Sequence, residues 1–284
     1  MQYATQIVMN GLVLSSTYCL IAVGLTLVFG VMRIMNFAQG ELYMIGAYVT
    51  LWVYVQHALP FAVAIVLAAL VAGVLGIVLE RAVFRPLRPN PLMGFIASLG
   101  VAAILQITVR QIFGSNFQGV PLAFPQSVHV FGAALILQRV FIVVAAVALL
   151  ALLGVFLQRT RAGLAILATA EDADAAALQG MSLNSSATLT MVLSAGLAGI
   201  AGAIIAPTTT LDPSMGSNII LTAFVVVIVG GAGSIRGALV ASLLVGFLAG
   251  TVTTLVSPTA STAVGLAAML VVLAFRPSGI FGRE

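Results

Sequence analysis

The chain has 284 residues, 62% hydrophobic and only 6% charged, and its formal net charge of +4 comes from eleven arginines with no lysine. An ordinary soluble domain is roughly 25% charged, so these few charges cannot cover a soluble surface of this size. Long apolar runs without alternation exclude a β-barrel, and a single cysteine, Cys19, excludes an internal disulfide or a cysteine-based metal cluster.

Nine hydrophobic segments follow in order: Ala4–Val31, Glu41–Leu59, Phe61–Leu79, Pro91–Phe113, Arg139–Leu157, Ser185–Ala206, Ser217–Gly230, Gly237–Val256 and Thr259–Phe275. The start, MQYATQIVMNGLVL, has no basic n-region and no small-x-small cleavage site, so it reads as the first span and not as a removable signal. The seventh segment has about 14 residues against the ~20 of a full span. It reads as a crossing supported by protein or as a re-entrant element. The expectation is an all-α polytopic membrane protein with eight to nine transmembrane or re-entrant helices in one domain, residues 1–284.

Charge sets the orientation. With the N-terminus outside and nine crossings, Arg33, Arg81, Arg85, Arg88, Arg159, Arg161, Arg236, Arg276 and Arg283 fall in the cytoplasm, and only Arg110 and Arg139 fall outside. This is a strong positive-inside pattern, and it explains the basic balance without nucleic acid.

Between the first two segments, MNFAQGE contains Asn36, Phe37, Gly40 and Glu41. These residues suit a turn, with Glu41 in the first turn of the next helix where the dipole favours an acid. Glu80 to Pro91, ERAVFRPLRPNP, has Pro86 and Pro89 to stop the third helix. Its three arginines read as an anchor to anionic membrane lipid. Residues 114–138 form the main external loop, rich in Gly and Pro, with room for a short strand or surface helix.

Residues 158–184 form the main cytoplasmic loop. Within it Asp172 is a good N-cap, Asp174 sits in the first turn, and Gly180 suits the left-handed residue after the last turn. Ala176, Ala177 and Leu178 make this short helix small and apolar, with Leu178 as its largest side chain. Isolated helices of this length are marginal in water, so it calls for a surface to dock on.

In the sixth segment Ala195, Gly199 and Gly202 share one helix face, a spacing that lets helices approach closely. Packing is the expected use, with lining of a pathway as the other. Residues 230–238, GGAGSIRGA, have the glycines of a phosphate loop but not its Gly-Lys-Ser/Thr ending. Gly230, Gly231, Gly233, Ser234 and Gly237 therefore read as a tight break between two helices. Arg276 and Pro277 mark the exit of the last helix.

His57 and His129 have no spaced partner for a metal site, and no catalytic pair appears. No ionisable residue falls near the middle of any segment, which argues against a proton-driven carrier. Catalytic residues, cofactors and metals are not expected.

Five blocks, NFAQGE, ERAVFRPLR, EDADAAALQG, GGAGSIRGA and RPSGIFG, resemble in order the permeases of branched-chain amino acid ABC importers. Gln39 stands where that family usually has His, and Ala173 where it has Pro. The resemblance implies a permease subunit in the bacterial inner membrane that forms half of the pathway for branched-chain amino acids or related small neutral solutes. It also implies a second permease subunit (a homologue or a second copy), two cytoplasmic ABC ATPase subunits docking at the 172–180 coupling helix, and a periplasmic solute-binding protein. ATP would be hydrolysed in the partners. A urea, amide or sugar permease on a related scaffold, and an ATP-independent channel or secondary transporter, are the alternatives.

Overall fold

A computed structural model describes residues 2–130, 133–276 and 278–282. Pro277, Arg283 and the side chain of His129 lie outside the described part. Each hydrophobic segment is a helix. In chain order these are α1 (Gln2–Met32), α2 (Ala38–Thr50, extended by a π turn Leu51–Gln56), α3 (Phe61–Leu79) and α5 (Pro91–Phe113); between α3 and α5 lie a π turn (Glu80–Phe84) and the short α4 (Arg85–Leu87). Next come α6 (Leu137–Arg159), α7 (Arg161–Glu171), α8 (Ala173–Leu178), α9 (Leu183–Ile205), α10 (Met215–Gly230), α11 (Ile235–Leu255) and α12 (Pro258–Phe275). Among the described residues, six helices have the length and apolar character to cross a membrane, and the helices Met215–Gly230 and Ala260–Phe275 are shorter apolar ones.

The layout places one helix, α2, inside the others. Twelve of the thirteen residues of α2 are buried, so it does not face lipid; it is enclosed by α9, α10, α3 and α5. Backbones meet closely here. A methyl group on Gly46 would overlap the backbone of Gly199, and one on Gly202 would overlap the Tyr43 carbonyl. One on Gly199 would lie 2.6 Å from Ala72 Cβ of α3. Gly76 of α3 meets Ala195 in the same way. The small face of the sixth segment is therefore a three-helix seam, and its use is packing. A second seam joins antiparallel α1 and α11, where Gly250 lies on Gly11 and Gly246 on Ser15. Ser15 bonds across to the Leu243 carbonyl, whereas Thr17 bonds back to Val13 of its own helix.

Residues 114–138 hold two small antiparallel pairings. Strands β2 (Ser127–Val130) and β3 (Ala133–Ile136) form a hairpin, while β1 (Gln118–Gly119) joins β4 (Thr210–Leu211), which follows α9. The loop and the α9–α10 connection are thus tied together at one end of the bundle, with α7 and α8 at the other.

Three expectations need correction. First, the third helix does not stop before Pro86; it continues as one 27-residue helical stretch from Phe61 to Leu87. Pro86 cannot donate to the carbonyl four residues back, and the π turn at Glu80–Phe84 just before it absorbs the misfit. Second, the 158–184 loop is more ordered than a loop around one short helix. The eleven residues of α7 come first, capped by Thr160, whose Oγ1 accepts from Gly163 N at 3.0 Å. Third, the Asn36–Glu41 turn, read only as a turn between two segments, lies inside the bundle and carries the Glu41 carboxyl with it. After α1 the chain folds back, so that Asn36 reaches Met191 and Gln39 reaches Ser194, both mid-way along α9.

Candidate coupling surface and buried polar turn

The projecting part of the molecule is α8. Asp172 caps it as expected, with Oδ1 accepting from Asp174 N and Ala175 N, both at 3.0 Å. At the other end Gly180 has φ +80°, a region that costs a residue with Cβ. This lets Gly180 N reach the Ala177 carbonyl at 2.9 Å and Met181 N reach the Ala176 carbonyl at 3.1 Å, the double bond of a Schellman stop. Of its apolar residues, Ala176 is turned into the protein at 3% exposure and Leu178 stands out at 90%. Ala177 is exposed as well, so Ala177 and Leu178 present the free face and Ala176 the attached one.

Behind it, α7 is held by its other side. Gly163, Ile166 and Thr169 are buried, and any side chain at 163 would overlap the backbone of Phe156 and Leu157 of α6. Thr169 Oγ1 meets Ser186 Oγ of α9 at 3.3 Å. Ser182 then caps α9 directly after α8. The loop therefore connects α8 by short, capped joints to α6 and α9.

The basic block of residues 80–91 is a clamp on α9. Glu80 is fully buried, and its carboxylate accepts from Arg85 Nε at 3.2 Å, Arg85 Nη2 at 3.0 Å, Arg88 Nη2 and Thr188 Oγ1 at 2.8 Å. Arg88 Nη1 also reaches Asn184 Oδ1 at 2.7 Å. Two of the three arginines read as a lipid anchor thus serve an internal carboxylate, while Arg81 remains exposed. The sequence signal was present: an acid five and eight residues before two arginines can turn back on them in a helix.

The Asn36–Glu41 turn is held by side chains of three helices. Asn36 Oδ1 accepts from Ala38 N at 3.0 Å and so starts α2. Ser98 Oγ of α5 accepts from Phe37 N at 3.1 Å, and the Phe37 ring packs on Phe224 and Phe95 with centroids at 4.4 and 5.3 Å. Gln39 Nε2 donates to the Ser194 carbonyl at 2.9 Å. Asn36, Gln39 and Glu41 are all buried.

The glycine break lies between α10 and α11. Gly231 and Gly233 have φ of +98° and +86°, Ser234 caps α11 by accepting from Gly237 N at 3.1 Å, and Gly230 and Gly237 lie backbone to backbone. The C-terminal segment is stitched onto it, Ile280 N to the Val229 carbonyl at 2.8 Å and Phe281 N to the Gly230 carbonyl at 3.1 Å. Between this break, the end of α1 and α7 opens a cleft of about 710 Å³ with Arg33 and Arg236 on its wall. Among the described residues no group of three or more His, Cys, Asp or Glu side chains gathers to hold a metal.

An enclosed helical bundle with an apolar exterior, six of whose described helices are long and apolar enough to cross a membrane, defines a multi-pass membrane protein. The model of the family described as branched-chain amino acid transport system, permease component, matches residues 7–274. The chain belongs to that family. It is 33% identical to the high-affinity branched-chain amino acid transport system permease protein BraD of Pseudomonas aeruginosa, over 99% of this chain and 96% of that one. It is 32% identical to the corresponding permease protein LivH of Escherichia coli K12 over the same shares. A probable branched-chain amino acid transport permease of Methanocaldococcus jannaschii is 28% identical over 96% of this chain and 91% of its own.

Proposed function

We propose that the chain is the membrane subunit of an ABC importer that carries branched-chain amino acids into a bacterial cell across the inner membrane. The observation that carries the reading is the family match over residues 7–274. The names of the relatives supply the solute class. The N-terminus faces outward and the α7–α8 end faces the cytoplasm, by the distribution of arginine. A second permease subunit completes the pathway. Two ATPase subunits hydrolyse ATP below, and a periplasmic binding protein delivers the solute to the β1–β4 end; the chain itself carries no catalytic group. Nothing favours a sugar or urea permease or an ATP-independent carrier.

In this reading α8 is the contact with the ATPase. Leu178 enters a groove on that subunit, and exposed Ala177 beside it allows close approach. Because α8 is capped at both ends and joined without slack to α7 and α9, a displacement of the Leu178 tip moves helix α9 and, through the glycine seam, the enclosed helix α2.

The test is Leu178→Asp. In the free chain the residue is on the surface, so membrane level and folding stay within about ±0.5 kcal/mol of wild type. In an ATPase groove the new carboxylate is buried without a partner, at a cost of several kcal/mol. Co-purified ATPase or ATP-driven uptake falls sharply. Full retention of both removes α8 from the coupling role.

A further inference from the structure

Two carboxyl groups are buried among the described residues, and they differ. Glu80 has two arginines and a threonine. Glu41, at 2% exposure, has a carboxyl oxygen, Oε2, with no hydrogen-bond partner, and no arginine or histidine among the described residues pairs with it. A carboxyl without a partner inside a membrane bundle is costly and marks a functional group by default. The surroundings specify what it awaits. Glu41 Oε2 faces the crossing of α2 and α10, where Gly40 and Gly216 meet; a Cβ at 216 would lie 2.5 Å from Oε2 and 2.8 Å from the Gly40 carbonyl. Two glycines leave no side chain across this seam, so the backbone of α10 at Gly216 is what lies against the Glu41 carboxyl. The next residues along the seam are hydrocarbon: Ile220 lies against Gly40, and Phe37 packs on Phe224.

We propose that the α2–α10 seam is part of the translocation pathway, and that Glu41 is the subsite for the ammonium group of the passing amino acid, whose apolar side chain takes the strip of Ile220, Phe37 and Phe224. An ammonium group brings charge and N–H donors to the unpartnered Oε2 of Glu41. The bundle with α10 closed over Glu41 is the state in which the seam is shut. The inference rests on the solute class of the proposed function and adds the residue that meets it.

The first measurement uses the wild-type complex with its ATPases in proteoliposomes, supplied with ATP, binding protein and leucine. Uptake of leucine tests the functional reading by itself. If another solute is accumulated, that solute replaces leucine in the labelling and uptake assays, and a solute without an ammonium group overturns the inference. The same complex is then treated with N,N′-dicyclohexylcarbodiimide, an apolar reagent for membrane carboxyls, with and without transported solute, and the modified residue is mapped by mass spectrometry. Glu41 is expected to be labelled when ATP is supplied without transported solute and to be protected when the solute is added. No labelling at Glu41, or labelling indifferent to solute, overturns the proposal.

The second measurement compares Glu41→Gln and Glu41→Asp. Glutamine keeps the shape and loses the charge, and a charge-assisted bond is about twice as strong as a neutral one. Uptake by Glu41→Gln falls about tenfold or more while the ATPases still co-purify, and Glu41→Asp recovers part of the loss. Wild-type uptake by Glu41→Gln assigns Glu41 a neutral structural role and overturns the proposal, as does an Asp variant no better than Gln. If neither variant assembles, the labelling decides.

Discussion

Glu80 shows how one residue changes the meaning of a motif. ERAVFRPLRPNP reads as a basic stretch because three arginines outweigh one acid. In three dimensions the acid is the centre, fully buried and shared by Arg85, Arg88 and Thr188. Breaking a fully buried pair by removing one partner costs about 3–5 kcal/mol. The two arginines here keep 37% and 23% of their side-chain exposure and can rehydrate, so Glu80→Ala should cost less, about 2 kcal/mol. A lower melting temperature of the purified complex checks this; an unchanged one would make the clamp ornamental. Asp172 works at the same scale. Losing an N-cap costs about 1 kcal/mol, on a helix too short to stand without it. Asp172→Ala should leave membrane insertion intact and raise amide exchange across residues 173–178, read by hydrogen–deuterium exchange. Both caps of α8 were legible in the sequence because capping is local chemistry. The clamp was not, because its fourth member, Thr188, comes from a helix about a hundred residues later.

At the scale of elements, the hydrophobic segments gave every long helix, since a run of apolar residues is itself the signal. What they did not give was depth. Nothing in MNFAQGE states that the turn dips to the level of Met191 and Ser194, because that depends on α9 and α5 offering partners. The helix α7 is hard to read for a related reason: RAGLAILATAE carries no strong start signal besides Thr160, whereas its neighbour α8 begins with two aspartates, Asp172 and Asp174. The small face of α9 was read correctly, since Ala195, Gly199 and Gly202 leave little else to do. Gly199→Leu forces a branched side chain into Ala72 and the Ala68 carbonyl of α3. Overpacking costs ~1–3 kcal/mol where neighbours yield, and here one neighbour is backbone. The melting temperature of the complex should fall clearly, and an unchanged profile would mean the seam is open in the assembled transporter.

For the whole molecule, orientation is the quantity that composition predicts and that packing leaves open. In a Cys19→Ser background, Gln126→Cys and Gln179→Cys sit on exposed positions at opposite ends of the bundle. An impermeant thiol reagent applied to cells with the outer membrane permeabilised should label 126 and spare 179; the reverse pattern would invert the molecule. Class, family and the separation of the two loops were all legible because they rest on composition and ordered short motifs. The enclosed position of α2 was not, because AQGELYMIGAYVT looks no more central than its neighbours until the glycines of α9 and α10 are seen pressed against it. That pressing has a consequence in heredity. A single-base change in either of the first two positions of a glycine codon always adds a side chain or a stop, and at Gly46, Gly199, Gly202 and Gly216 there is no space for even one carbon. In a library of random point changes these codons should be nearly silent among surviving clones, while Gly100 and Gly154, which have no neighbour within 4 Å, accept small apolar residues and reject the charged ones, which are costly inside a span. The gene has least room to drift where its protein has the smallest residues.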